Sequence, residues 1–176
     1  MRKLSPETWD SQYQRGQWDH LLHEQERNKV LGELGRKYHP HPVILDVGCG
    51  FGNLLPHLTF QRYMGIDLSA IALKQAPRGA KVQFLCVEAE QFQTADKFDF
   101  IIFNEILYYM DAFAVLDKYK AFLTPRGIFL ISMWKHPTTV RLWEEIERKY
   151  DCIEWREVQD GQNEWKIGVI RIRLSP

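Results

Sequence analysis

The chain has 176 residues, 45% of them hydrophobic and 26% charged, and 23 Lys and Arg balance 23 Asp and Glu to a formal net charge of zero. That length suits one domain with a core that needs no metal or disulfide staple. Zero net charge lacks the basic footprint of a nucleic-acid binder, no run approaches the roughly 18 apolar residues that span a bilayer, and residues 1–6 lack the apolar stretch of a secretory signal, so neither nucleic acid nor membrane is an expected partner.

Residues 1–40 read as a polar, aromatic helical cap. Trp18, Leu21, Leu22, Val30, Leu31 and Leu34 recur at roughly helical spacing. His39-Pro40-His41-Pro42 ends the pattern, because proline fixes its own φ and restricts its predecessor. Residues 42–176 read as the core of the same domain. Five near-continuous apolar runs lie at 43–47, 63–67, 82–87, 98–103 and 128–132, the composition of strands covered on both faces. A helix is expected straight after the glycines at 48–52. Ser69 can cap a second, carrying Ile71, Leu73 and Ala76, and Asp111 a third over 112–123, stopped by Pro125 and Gly127. The link at 88–97 is short and weakly helical. Strand and helix in alternation imply a parallel α/β sheet. A last helix at 138–150 gathers Leu142, Trp143 and Ile146. Two strands at 152–156 and 165–174 then flank the turn Asp160-Gly161, too close for a crossover helix, so this pair should be antiparallel.

The densest chemistry is Leu45-Asp46-Val47-Gly48-Cys49-Gly50-Phe51-Gly52-Asn53. A buried strand ends in three alternating glycines, which allow a tight turn and close approach to a ligand. Asp46 places a carboxylate at the carboxyl end of the first strand, where doubly wound sheets bind ligands. Asp67 ends the second strand, where it can take both hydroxyls of a ribose. A dinucleotide site prefers G-x-G-x-x-G with a helix N-terminus on the pyrophosphate. Here Asn53 stands where the last glycine is expected, and Asp46 would repel a pyrophosphate. A carboxylate there suits S-adenosylmethionine, which carries an ammonium and a sulfonium and no phosphate.

On these residues the chain resembles a class I, Rossmann-like S-adenosylmethionine-dependent methyltransferase of the small-molecule type, over roughly 42–132. Val43 to Gly52 (VILDVGCGFG) resembles the family's first motif, with Gly48, Cys49 and Gly50 at the cofactor. Gly65-Ile66-Asp67-Leu68-Ser69 resembles the second, with Asp67 as its ribose acid beside Leu68. Val87-Glu88-Ala89-Glu90 resembles the third-strand motif. The resemblance implies that Glu88, in place of the commoner Asp, faces the adenine amine and that Ala89 faces the ring. Phe98 to Met110 (FDFIIFNEILYYM) resembles the fourth-strand motif and sets Asn104 beside the cofactor, and 123–127 resembles the turn into the fifth strand. The implied fold is α/β, a doubly wound, seven-stranded, mostly parallel sheet with one antiparallel strand near the C-terminus. The implied product is S-adenosylhomocysteine.

The acceptor is expected to be a small molecule, methylated at N or O by in-line displacement. Glu105, Tyr108 and Tyr109 follow the fourth strand, and Trp134 and His136 follow the fifth. Glu105 or His136 could be a base, and the tyrosines could orient an amine or hydroxyl. Trp9, Tyr13 and Trp18 resemble an aromatic helix covering the cofactor, where ring faces attract a sulfonium. No long insertion follows strands four or five, so a lid must come from the N-terminal helices, from 134–150 or from a partner. Asn104-Glu105-Ile106-Leu107 stands where base-methylating relatives carry Asn/Asp-Pro-Pro-Tyr/Phe, which argues against a nucleobase amine. No metal site is expected. Three scattered cysteines, Cys49, Cys86 and Cys152, fit reduced thiols in a cytoplasm. A methyltransferase-like domain without catalysis and an NAD-dependent oxidoreductase stay open as rivals, as do monomer and homodimer.

Overall fold

A computed structural model describes residues 4–23 and 26–172, without the side chains of residues 22 and 23. Leu22 of the apolar stripe therefore lies outside the described side chains. Strands β1 (Val43–Val47), β2 (Arg62–Asp67), β3 (Val82–Cys86), β4 (Phe98–Asn104), β5 (Leu123–Trp134), β6 (Asp151–Asp160) and β7 (Asn163–Arg171) form one sheet, ordered β3-β2-β1-β4-β5-β7-β6. β1 to β5 pair in parallel, and β7 runs antiparallel to both β5 and β6. The one reversed strand thus sits one place in from the edge. Gly161, at φ 60°, makes the hairpin turn that reverses it.

Among the described residues five α-helices accompany the sheet: α1 (Pro6–Gln14), α2 (Glu26–Tyr38), α3 (Ala70–Gln75), α4 (Ala112–Tyr119) and α5 (Pro137–Lys149). The expected caps form: Ser69 accepts from the amide of Ala72, and Asp111 from that of Ala114. Gly16, at φ 69°, closes the chain after α1, so the N-terminal cap is two helices joined by a 3-10 turn (Asp19–His23). Leu31 and Leu34 of α2 pack with Ile44, Phe100 and Leu130 on one sheet face. Val115 and Leu116 of α4 and Ile146 of α5 pack with Leu45, Ile101 and Phe129 on the other. Full burial of a Leu, Ile or Phe side chain contributes about 1.5–3 kcal/mol, which explains why both strand faces are apolar.

Two expected helices differ. After the glycines the chain makes turns and one 3-10 turn (Leu55–His57) instead of an α-helix. Pro56 lacks an amide donor, and α2 already fills that side: a Cβ on Gly32 would lie 2.1 Å from the carbonyl oxygen of His57. The helix expected over 112–123 is α-helical to Tyr119 and continues as a 3-10 turn (Lys120–Phe122), and Leu123 already pairs in β5. Pro125 falls where the β4–β5 register shifts, a position that spares a ladder hydrogen bond. Strand order reverses between β1 and β4, and crevices of doubly wound sheets open at that point, beyond the carboxyl ends.

Candidate active site

The glycine loop curls back over β2. The amides of Gly48 and Cys49 donate to the carbonyl of Ile66 at 2.8 and 3.0 Å. Gly48 and Gly50 hold φ of 70° and 52°. A side chain is excluded at both: a Cβ on Gly48 would lie 2.7 Å from Ile106, and one on Gly50 2.9 Å from the hydroxyl of Tyr13.

Asp67 ties this loop to the next element. One carboxylate oxygen accepts from the amide of Gly50 at 2.8 Å and the other from that of Ser69 at 2.8 Å. Each oxygen retains capacity for a second donor. Burial raises its carboxyl above the usual range, opposed by those amides. Asp46 lies deeper, 2% exposed. Its Oδ2 accepts from Tyr63 at 2.7 Å, while its buried Oδ1 has no partner. Burial pushes its carboxyl up to about 7.

A cavity of about 390 Å³ opens along the carboxyl ends, within the range of small-molecule sites. Asp67, Leu68, Gly48 and Ala89 line one end, and Asn104 and Glu105 the middle. Trp134 of β5 and Trp165 of β7 wall the other end. The cavity crosses five neighbouring strands, β2 to β7 in sheet order, which at about 4.8 Å each spans roughly 19 Å. Trp9, Tyr13 and Trp18 roof it. Their rings interlock: Trp9 lies 5.5 Å from Trp18 and meets Tyr109 edge-on at 5.1 Å, and Tyr13 meets Phe51 edge-on at 4.9 Å. Asp10 anchors α1 by accepting from the hydroxyl of Ser69 at 2.5 Å and the amide of Ile71 at 3.1 Å.

Of the residues singled out from sequence, the cavity wall gathers Trp9, Tyr13, Trp18, Gly48, Asp67, Leu68, Ala89, Asn104, Glu105, Tyr108, Tyr109 and Trp134. Asp46, Cys49, Gly50, Glu88 and His136 are not on it. Asp46 and Cys49 are buried under the loop, and the Tyr13 hydroxyl covers Gly50. Glu88 turns the chain after β3, its carbonyl accepting from Gln91 and Phe92, while Ala89 beside it faces inward. His136 is exposed and caps α5: its ring accepts from Thr138, and its amide donates to the hydroxyl of Thr139. Its ring stacks on Trp134, 5.6 Å between centroids, outside the cavity.

Glu105 holds φ at 62°, a left-handed conformation that costs a non-glycine residue about 1 kcal/mol. Three donors fix its carboxylate: Tyr108 Oη at 2.9 Å, the Trp134 amide at 3.1 Å and Ser132 Oγ at 3.4 Å. Sequence reasoning missed Arg27, which lines the cavity 4% exposed with its guanidinium 5.1 Å above the Trp165 ring. In a polar helical stretch, a buried arginine looks like any surface charge. Among the described residues, no group of three or more His, Cys, Asp or Glu could hold a metal ion.

A family model described as a methyltransferase domain matches residues 11–165. The chain belongs to the methyltransferase domain family. With the class I sheet order, it is an S-adenosylmethionine-dependent methyltransferase. No curated protein matches it by sequence. Solved structures share the methyltransferase fold. The N-methyltransferase NodS of Bradyrhizobium japonicum WM9, in complex with S-adenosyl-L-homocysteine, superposes with a TM-score of 0.70 at 23% identity, over 84% of this chain and 86% of that one. The 1,6-didemethyltoxoflavin-N1-methyltransferase of Burkholderia thailandensis, with bound 1,6-didemethyltoxoflavin and S-adenosylhomocysteine, gives 0.75 at 18% identity, over 94% and 86%. The [4+2]-cyclase SpnF gives 0.66 at 15% identity, over 84% and 82%. A fold of this kind does not by itself name the reaction, which has to be argued from the site.

The residues present fit the methyl donor. Asp67 offers spare carboxylate capacity at the end of β2. The orphaned Oδ1 of Asp46 lies beneath the loop, and the ionised carboxylate would favour an ammonium and a sulfonium and oppose a pyrophosphate. The 3-10 turn after the loop also supplies no helix N-terminus for a phosphate.

Proposed function

We propose that the protein methylates a nitrogen or oxygen atom of a small-molecule acceptor within this cavity. The observation that carries the reading is the continuous cleft with a ribose-type carboxylate, Asp67, at one end and an aromatic chamber beside Glu105 at the other. Asp67 and Leu68 take the ribose, while Ala89 borders the adenine and Glu88, off the cavity wall, turns the chain beside it. Gly48, Cys49 and Gly50 form the loop beneath the amino-acid portion, with Asp46 supporting it through the loop. Asn104 stands beside it, and Trp9, Tyr13 and Trp18 close over the sulfonium. Bound S-adenosylmethionine supplies an already activated methyl group. The protein's own task is alignment, and holding two reactants in line can supply about 7–11 kcal/mol of a barrier. Tyr108 and Glu105 flank the acceptor end, whereas His136 is occupied as a cap. The two methyltransferase neighbours described above are named for transfer to nitrogen, which favours nitrogen here.

A thermal shift tests the reading. S-adenosylhomocysteine at about 100 times its Kd should stabilise by about 2.7 kcal/mol, a rise of roughly 5–11 °C at this size. NADH at equal concentration should give none. A rise with NADH alone would overturn the assignment.

A further inference from the structure

A hydroxyl on the cavity wall reaches a fixed carboxylate. Tyr108 Oη donates to Glu105 Oε2 at 2.9 Å. Tyr109 stands beside Tyr108 at the same end of the cavity. The two rings lie 4.6 Å apart, and all three side chains line the cavity. Tyr109 meets Trp9 of the roof edge-on, so the two tyrosine rings stand where the cover closes. Glu105 is anchored from β5 by Trp134 and Ser132, and its left-handed backbone departs from the line of β4. Burial and the Glu105 charge drive the Tyr108 hydroxyl far above its ordinary range, so it is a carrier of a proton and not a phenolate base.

We propose that Tyr108 and Glu105 form a proton relay and that the methyl acceptor is a neutral nitrogen still bearing a hydrogen. This rests on the methyltransferase reading. An acceptor that is already ionised releases no proton, and a neutral hydroxyl, which would release one, is a weaker nucleophile than a neutral nitrogen. A neutral N–H nitrogen becomes a cation on attack and must lose one. The acceptor nitrogen uses its lone pair to bond the methyl carbon as the carbon–sulfur bond breaks, leaving that electron pair on sulfur. The nitrogen's proton passes to Tyr108 Oη, and the proton of Tyr108 to Glu105 Oε2. Glu105 ends as a neutral acid, which returns its proton to water before the next turnover.

The test needs no acceptor. The amine analogue of the cofactor, in which an aminomethylene replaces the sulfonium methyl group, places an ammonium where the methyl would be. Calorimetry compares its Kd with that of S-adenosylhomocysteine in wild type, Glu105→Gln and Tyr108→Phe. Glutamine can still accept from the Trp134 amide, so a purely structural role would leave the ratio of the two constants unchanged. The relay requires the analogue to weaken about tenfold or more in Glu105→Gln, the scale of a charge-assisted hydrogen bond, with S-adenosylhomocysteine within about threefold. Tyr108→Phe should shift the same ratio in the same direction. A ratio that stays within about threefold in either variant overturns the relay while leaving the methyltransferase reading intact. Failure of wild type to bind S-adenosylhomocysteine removes that reading and the relay with it.

Discussion

Replacing Asp46 with Asn is expected to stabilise the ligand-free protein above pH 7 and to change little near pH 4. Asp46 is 2% exposed, and burial lifts its carboxyl from 3.8 to about 7, with the Asp67 charge adding to the effect. The folded state therefore holds this proton more tightly than the unfolded chain does. The stability it contributes is complete below pH 3.8 and lost as pH rises through 7. Each unit of difference is worth 1.36 kcal/mol, so a gap of about three units amounts to about 4 kcal/mol. Asparagine has the same shape, stays neutral, and can still accept from Tyr63, whose hydroxyl lies 2.7 Å from Oδ2. Paired melts at pH 4, 6 and 8 should show Tm curves that nearly coincide at pH 4 and separate by roughly 8–16 °C at pH 8. Saturating S-adenosylhomocysteine should narrow that separation, because its ammonium compensates only the wild-type charge. A constant offset at all three pH values would refute the argument.

Asp67→Ala removes the acceptor for two buried amides, Gly50 and Ser69, as well as the ribose partner. It should lose about 2–4 kcal/mol of stability by calorimetry and about 100-fold or more in affinity for S-adenosylhomocysteine, and unchanged affinity would refute its role. His136→Ala removes only a cap, so scanning calorimetry should show a loss of about 1 kcal/mol, and any acceptor that turns over should keep its kcat within about threefold. A collapse of kcat would restore His136 as a base.

The cofactor half of the site was legible because its chemistry is local in sequence. Strand, glycine loop and Asp67 lie within 25 consecutive positions, 43–67, and β1 falls on the residues expected. Ser69 and Asp111 were readable for the same reason, since a cap bonds only three residues ahead. The helix expected after the loop was misread because the obstacle is distant: α2, from before β1, occupies its place. Arg27 and Trp165 are 138 positions apart and meet only after the sheet has closed. His136 could have been read as a cap, since Pro137 and Thr139 follow it at the positions a helix start favours.

The reversed strand has a consequence for how such a site can change. Asp67 and the glycine loop hang from parallel strands whose order depends on crossovers throughout the first hundred residues. Trp134 faces Trp165 across an antiparallel pair, and Trp165 belongs to the terminal β6–β7 hairpin. A hairpin is a local unit, held in register by its own turn. Substitutions in it remodel the far wall of the chamber without disturbing the donor's berth, so acceptor preference and methyl-donor binding can drift independently within one uninterrupted sheet.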